Sequence, residues 1–384
     1  LATLIGEQEI EDLAIGAAIL GTGGGGDPYI GKLMVQIAIR KFGPITLLAP
    51  HELPDEALII PTAAMGAPTV SIEKIPNGME GYNALRALEK YLGKSAYATM
   101  PIECGGGNST IPFVVAAHAG IPVVDADGMG RAFPELQMET FHIYGIKGSP
   151  MVIHNELGDH CILNTKDNLS LERFARAITV KMGATSHLAE YPMTGKQVKE
   201  VAITGTLSLA IRIGKAIREA RMHKENPIEA IIDVTTNSIY GPAMVLFQGK
   251  VTGVDRQTRD GFVRGMIQVQ GFDKYQGSTL EVDFQNENLI ARMDGEVVAM
   301  VPDLITLLDL ETGLPITTEA IKYGSRVTAL AIPTPEIMRT PQALEVWGPR
   351  YFGYDVDYRL LEEIHPEYYK QKFKVSEEAE PLEL

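Results

Sequence analysis

The sequence predicts an α/β protein in two parts: a mostly parallel sheet covered by helices, then a compact, β-rich antiparallel or barrel domain. Three observations carry this class. Helical segments alternate with short apolar runs through the first 165 residues. From about residue 246 the texture turns β-rich, punctuated by Gly, Asn-Glu-Asn and Asp-Gly turns. Two glycine clusters, "GTGGGGDP" and "CGGGNS", interrupt the first region where one element hands over to the next.

The elements follow from periodicity. "EQEIEDLAIGAAIL" sets Ile10, Leu13, Ala14, Ala17, Ala18 and Ile19 largely on one face, which predicts a helix over 7–20. "KLMVQIAIRKFG" predicts a second helix, closed by Gly43 and Pro44. "ITLLAP" and "EALIIPTAAMG" read as strands that end in turns. "MEGYNALRALEKYLGK" is an amphipathic helix in which Leu85, Leu88 and Leu92 share a face. The strand "SAYATMPIE", the loop "CGGGN", the helix "STIPFVVAAHAG" and the strand "IPVVDAD" complete a domain over 1–165. Residues 166–245, with two or three helical stretches including "TLSLAIRIGKAIREARMH", read as a helical connector packed on that domain. Residues 246–384 form the β-rich domain, from "FVRGMIQVQGF" to "SRVTALAIP", with an acidic tail, "KVSEEAEPLEL", expected to fray.

With 45% hydrophobic and 22% charged residues, the 384-residue chain has the balance of a globular protein. Its formal charge of −15 disfavours nucleic-acid and anionic-membrane partners. No apolar run reaches the roughly 20 residues of a bilayer span, and no basic stretch followed by an apolar one opens the sequence. Cys104 and Cys161 cannot build a disulfide framework, so the cytoplasm is the expected compartment.

Gly21, Gly23 and Gly26 satisfy the G-x-G-x-x-G pattern of dinucleotide loops, but the context does not. The segment before them has helical periodicity, and no Asp or Glu lies between Tyr29 and Pro50 to hold a ribose. What remains is a connection between two helices, with Pro28 in the first turn of the second. Its glycines reach positive φ, and their N–H groups suit an anion or oxyanion. The second cluster sits where a strand hands over to a helix, the edge where open α/β sheets bind ligands. There Asn108 or Ser109 is expected to cap the helix. Glu103 ends the strand, Cys104 begins the turn, and "VVDADGMG" brings Asp125 and Asp127 to the same edge. The plainer readings are turn or cap carboxylates for the aspartates and a small core residue for Cys104. "HNELGDHC" offers His154, Glu156, Asp159 and His160 without a standard zinc spacing; it reads as a solvated β-turn, with metal ligation the lesser alternative.

Seven segments in order, "LGTGGGGDP", "IECGGGNS", "PVVDADGMGRAFPELQM", "GTLSLAIRIGKAI", "GFVRGMIQVQGF", "DLITLLDLETGLPI" and "GPRYFGYDVDY", resemble the former DUF917 family. That family is associated with S-methyl thiohydantoin desulfurases, and its members often accompany hydantoinase/oxoprolinase-type enzymes. The resemblance spans about residue 7 to about 365. It implies an N-terminal three-layer α/β domain, a C-terminal β-barrel-like domain, and hydrolytic loss of sulfur from C2 of a thiohydantoin.

Such a reaction passes through a tetrahedral intermediate, which N–H donors stabilise and carboxylates supply with protons. The expected catalytic residues are Asp27, Asp125 and Asp127, with Cys104 the nucleophile if water is not. Gly23, Gly24, Gly25, Gly26, Glu103, Gly105, Gly106, Gly107 and Asn108 are expected to bind the substrate, a small cyclic amide or thiohydantoin. No cofactor is expected, although a divalent metal is left open, as are a homo-oligomer and a hydantoinase-type partner. The rival functions are a metal-dependent hydrolase or lyase on a hydantoin- or oxoproline-like lactam, and a non-catalytic partner subunit.

Overall fold

The computed structural model describes residues 2–66, 70, 74, 76–259 and 262–378. Its first part holds eleven strands: β1 (Thr3–Ile5), β2 (Ile45–Leu48), β3 (Leu58–Gly66), β4 (Ala98–Met100), β5 (Val123–Val124), β6 (Ala126–Asp127), β7 (Met151–His154), β8 (His160–Leu163), β9 (Thr185–Ala189), β10 (Met193–Thr194) and β11 (Ile203–Thr204). Nine of them form one sheet in the order β1-β2-β5-β4-β3-β9-β7-β8, with β10 also pairing β3. The centre, β2-β5-β4-β3, is parallel. The flanking strands run antiparallel, so the sheet is mixed. Parallel neighbours need long crossovers. Here these are the helices α3 (Glu80–Leu92) and α4 (Ile111–Ala119), which link β3, β4 and β5, while α1 (Glu7–Leu20) and α2 (Pro28–Phe42) lie between the antiparallel β1 and β2.

Strand alternation makes the layers. Ile59 packs with Met100, Val124 and Phe141 on one face, and Ile60 packs with Leu85, Leu88 and Val115 on the other. The first face is covered by α5 (Thr140–Ile143) and α7 (Gly195–Val201), the second by α3 and α4. Residues 166–245 hold α7 and add α6 (Asn168–Lys181), α8 (Thr206–His223) and α9 (Pro227–Thr236), but also β9, β10 and β11.

Helices α1 and α8 touch backbone to backbone. A β-carbon on Gly16 would overlap the Ala210 carbonyl, and one on Gly214 would overlap that of Asp12. Asp12 closes the contact with a bidentate pair to Arg218 at 2.8 and 2.9 Å. The apolar residues of α1 meet α8 and also Leu304, Leu308, Leu330 and Ile332 of the second sheet. The helix is therefore buried around most of its circumference.

That second sheet contains β12 (Met244–Arg259), β13 (Phe262–Gly271), β14 (Thr279–Gln285), β15 (Glu287–Met293), β16 (Glu296–Met300), β17 (Leu304–Asp309) and β18 (Arg326–Ile332). All neighbours are antiparallel, in the order β16-β15-β14-β13-β12-β18-β17. It curls into a half-barrel around Phe247, Val251, Ile267, Val282 and Leu307. Beyond α10 (Pro341–Trp347), Leu361 of α11 (Leu361–Ile364) and Tyr369 of α12 (Pro366–Glu378) join this core. The backbone of the predicted tail is helical to Glu378, and the rest of the tail lies outside the described residues. Among the described residues no helix is long and apolar enough to cross a membrane.

Candidate active site

Three segments meet where the α/β part faces the half-barrel. The first is the loop between α1 and α2, stitched to the second sheet. Thr22 Oγ1 donates to the Ile305 carbonyl at 2.8 Å, and the Asn288 and Thr318 N–H groups donate to Thr22 O and Gly23 O at 2.8 and 2.9 Å. The second is the loop between β4 and α4, which lies directly on the first. Gly107 N–H donates to the carbonyls of Gly25 and Gly26 at 2.9 and 3.1 Å. A β-carbon on Gly106, itself at φ 45°, would overlap the Gly26 carbonyl. Much of the glycine content thus serves loop-on-loop contact. The third segment is the hairpin between β14 and β15, which delivers Glu287.

Together they wall a cavity of about 360 Å³ that includes Gly25, Gly26, Asp27, Glu103, Gly107, Asn108, Phe133 and Glu287. Among the described residues, the N–H groups of Gly25, Gly26 and Asp27 have no partner within the chain. Asp27 is exposed, and its Oδ1 accepts Tyr29 N–H at 2.8 Å as the N-cap of α2.

Glu103 is only 4% exposed. Asn108 Nδ2 donates to its Oε1 at 2.6 Å, and Phe133 N–H to its Oε2 at 3.2 Å. Burial pushes the Glu103 carboxyl up to about 7, and the neighbouring Asp127 adds to the rise. Asn108 is itself fixed, accepting Ala64 N–H at 2.7 Å and donating to Ala64 O at 3.1 Å. The expected helix cap at Asn108 or Ser109 is therefore absent. A one-turn 3-10 helix, Gly106–Ser109, precedes α4 and turns Asn108 towards β3, while Ser109 Oγ donates to Gly106 O at 2.7 Å.

Glu287 is 3% exposed, and its Oε2 has no partner among the described residues. Burial first, then the charge of Glu103, drives its carboxyl well above the usual range, which favours its protonated form. A β-carbon on Gly24 would overlap this carboxyl group, so Gly24 makes room for Glu287. One carboxyl with two donors and one with an unpaired oxygen thus face the same cavity. Their environments suit them to be a base and an acid.

The other expected residues are placed differently. Gly23, Gly24, Gly105 and Gly106 lie behind the cavity wall. Asp127 is fully buried and accepts the N–H groups of Cys104 and Gly130 at 2.6 and 2.8 Å, tying two turns together. Burial pushes its carboxyl up to about 7. Asp125 turns away, its Oδ1 accepting Ser208 N–H at 2.9 Å in the first turn of α8. The cause is local: after Val124 the chain leaves the first sheet, and among the described residues β6 pairs only with β11. Asp125 and Asp127 therefore do not converge on the cavity.

Cys104 is 0% exposed, and its thiol donates to Thr206 O at 3.5 Å. Burial pushes the thiol well up, and Asp127, Asp125 and Glu103 push it further, which disfavours the thiolate. Cys104→Ser is expected to keep turnover within about threefold, read as released thiol, because a buried protonated thiol adds little to a reaction in the neighbouring cavity. A folded variant without turnover would restore Cys104 as nucleophile.

"HNELGDHC" is the turn of the β7–β8 hairpin. His154 and His160 pair across it with stacked rings 6.0 Å apart, Asp159 accepts from Asn155 at 3.0 Å, and Glu156 pairs with Lys74 at 2.7 Å. Among the described residues no group of three or more His, Cys, Asp or Glu side chains is arranged to hold a metal ion. Glu287 is not legible as a site residue in the sequence, where it stands inside an Asn-Glu-Asn turn. The available signal was a charged residue set between Phe284 and Leu289, both buried.

Comparison with known proteins agrees with this architecture. The family model "S-Me-THD-like, N-terminal domain" matches residues 8–165, and "S-Me-THD-like, C-terminal domain" matches 166–361. The crystal structure of a protein from Chromobacterium violaceum has the same fold, with a TM-score of 0.78 at 22% identity, over 94% of this chain and 100% of that one. No curated protein matches.

Proposed function

The chain belongs to the S-Me-THD-like family, the former DUF917 family of S-methyl thiohydantoin desulfurase-like proteins, and from that premise we propose that it replaces the methylthio group at C2 of an S-methylated thiohydantoin by oxygen, using water. The observation that carries the reading is the pair of buried carboxyls, Glu103 and Glu287, on one small cavity.

In this reaction ionised Glu103 takes a proton from water as the oxygen attacks C2. The C2=N electron pair moves to the ring nitrogen, which takes the proton of Glu287. The intermediate carries OH and SCH3 on one carbon. As the C–S bond breaks, the sulfur leaves with the proton held by Glu103. The hydroxyl becomes a carbonyl, and its proton returns to Glu287. Water and substrate become a hydantoin and methanethiol, and both glutamates regain their starting states. The free N–H groups of the Gly25–Asp27 loop suit the charge that builds up on the ring.

The test is release of thiol from S-methyl thiohydantoins by the purified protein, with the expected pH profile. Activity rises through about pH 7, where Glu103 ionises. A second, falling limb is expected from loss of the proton on Glu287, whose carboxyl burial drives above the usual range. The stability trend has the opposite sense to the first limb. The native Glu103 value stands above the unfolded one, so the native state holds more protons between them. Its contribution to stability is full at acid pH and is lost as pH rises through about 7. A profile flat across pH 6–8 would contradict the assignment of Glu103.

A further inference from the structure

We infer that Arg131 is the positioning residue of this pair: its guanidinium joins the two halves of the chain and fixes the Glu103 turn against the Glu287 hairpin. The inference rests on the acid–base reading above. Arg131 is fully buried, yet it makes no ion pair within 4.0 Å among the described residues. It spends its fork on carbonyls instead. Nε donates to Ala132 O at 3.1 Å, Nη1 to Asp303 O at 3.1 Å, and Nη2 to Asn288 O at 2.9 Å.

Two of these three bonds lie beside the segments that carry the two glutamates. Asn288 follows Glu287 in the hairpin. Ala132 precedes Phe133, whose N–H holds Glu103 and whose ring lies 4.9 Å from the guanidinium carbon. Two of these carbonyls belong to the half-barrel and one to the α/β part, so a single planar group sets the distance across the cavity floor. The group also supplies a positive charge that acts on both glutamates. Burial lowers Arg131 to about 10, which leaves it a cation at neutral pH, and that cation favours the ionised state of both glutamates. Lysine would keep a charge here, but its point-like ammonium cannot reach three divergent carbonyls.

Arg131→Lys and Arg131→Met separate geometry from charge. For Arg131→Lys, kcat for thiol release should fall by about tenfold or more, with KM nearly unchanged and the acid limb of the pH profile in place. For Arg131→Met, the acid limb should also move up by about one pH unit, because the cation that favoured ionised Glu103 is gone. Should the Met variant not fold, the Lys variant carries the test alone. A folded Arg131→Lys protein with unchanged kcat would overturn the inference, as would a lower melting temperature with an unmoved pH limb in Arg131→Met. Infrared titration of the buried carboxyl stretch needs no substrate. It should shift between wild type and Arg131→Met even if no thiohydantoin is turned over, a result that would defeat the functional reading alone. An unshifted titration would defeat the inference.

Discussion

Glu103→Gln is expected to lower kcat for thiol release by about 100- to 10,000-fold, the range for loss of a general base. The amide keeps the size of the carboxylate but accepts no proton from water. It also meets two donors, Asn108 Nδ2 and Phe133 N–H, with only one acceptor oxygen, so one donor faces an NH2 group. That mismatch costs about 1–3 kcal/mol, partly offset because a neutral amide is easier to bury than a charge. The expected signature is therefore a folded protein with a modestly lower melting temperature and almost no turnover. Single-turnover assays would separate this loss from weak binding. A variant that keeps a tenth of wild-type kcat would remove Glu103 from the chemistry.

Glu287→Gln is expected to lower kcat by about 100-fold or more at neutral pH. Stability should barely change. Burial already disfavours the charged form of the native group, and the amide puts a neutral group of the same shape in its place. The alkaline limb should vanish, because no acid remains to titrate, while the acid limb set by Glu103 stays. The measurement is the pH dependence of kcat from pH 5 to 10. Retention of the alkaline limb in a folded Glu287→Gln protein would assign that limb to another group.

The long helices were readable because their apolar spacing is local information: residues 7–20 and 80–92 form helices where the pattern places them. The two glycine loops were readable as special backbone, and their position in the cavity wall fits that reading at Gly25, Gly26 and Gly107. What the loops do to each other was not readable. The overlap of Gly106 with the Gly26 carbonyl depends on two segments eighty residues apart in the chain. Asp125 and Asp127 failed for a related reason. Period-2 spacing puts them on one face only if the strand continues, and this strand changes partner after Val124. Glu287 was hidden because a buried carboxyl and a solvated turn carboxyl look alike in "QNENLI". Only the Gly24 backbone and the loops opposite make it a buried acid. Arg131 was hidden similarly, since its partners are carbonyls, which any sequence supplies.

The most direct test of a water attack at C2 is one turnover of an S-methyl thiohydantoin by excess enzyme in ¹⁸O-enriched water. The expected result is one equivalent of thiol, ¹⁸O in the C2 carbonyl of the product, and no change in the mass of the protein. A first-turnover product with ordinary oxygen at C2 and the label left in a glutamate, or a covalent adduct on Cys104, would contradict it.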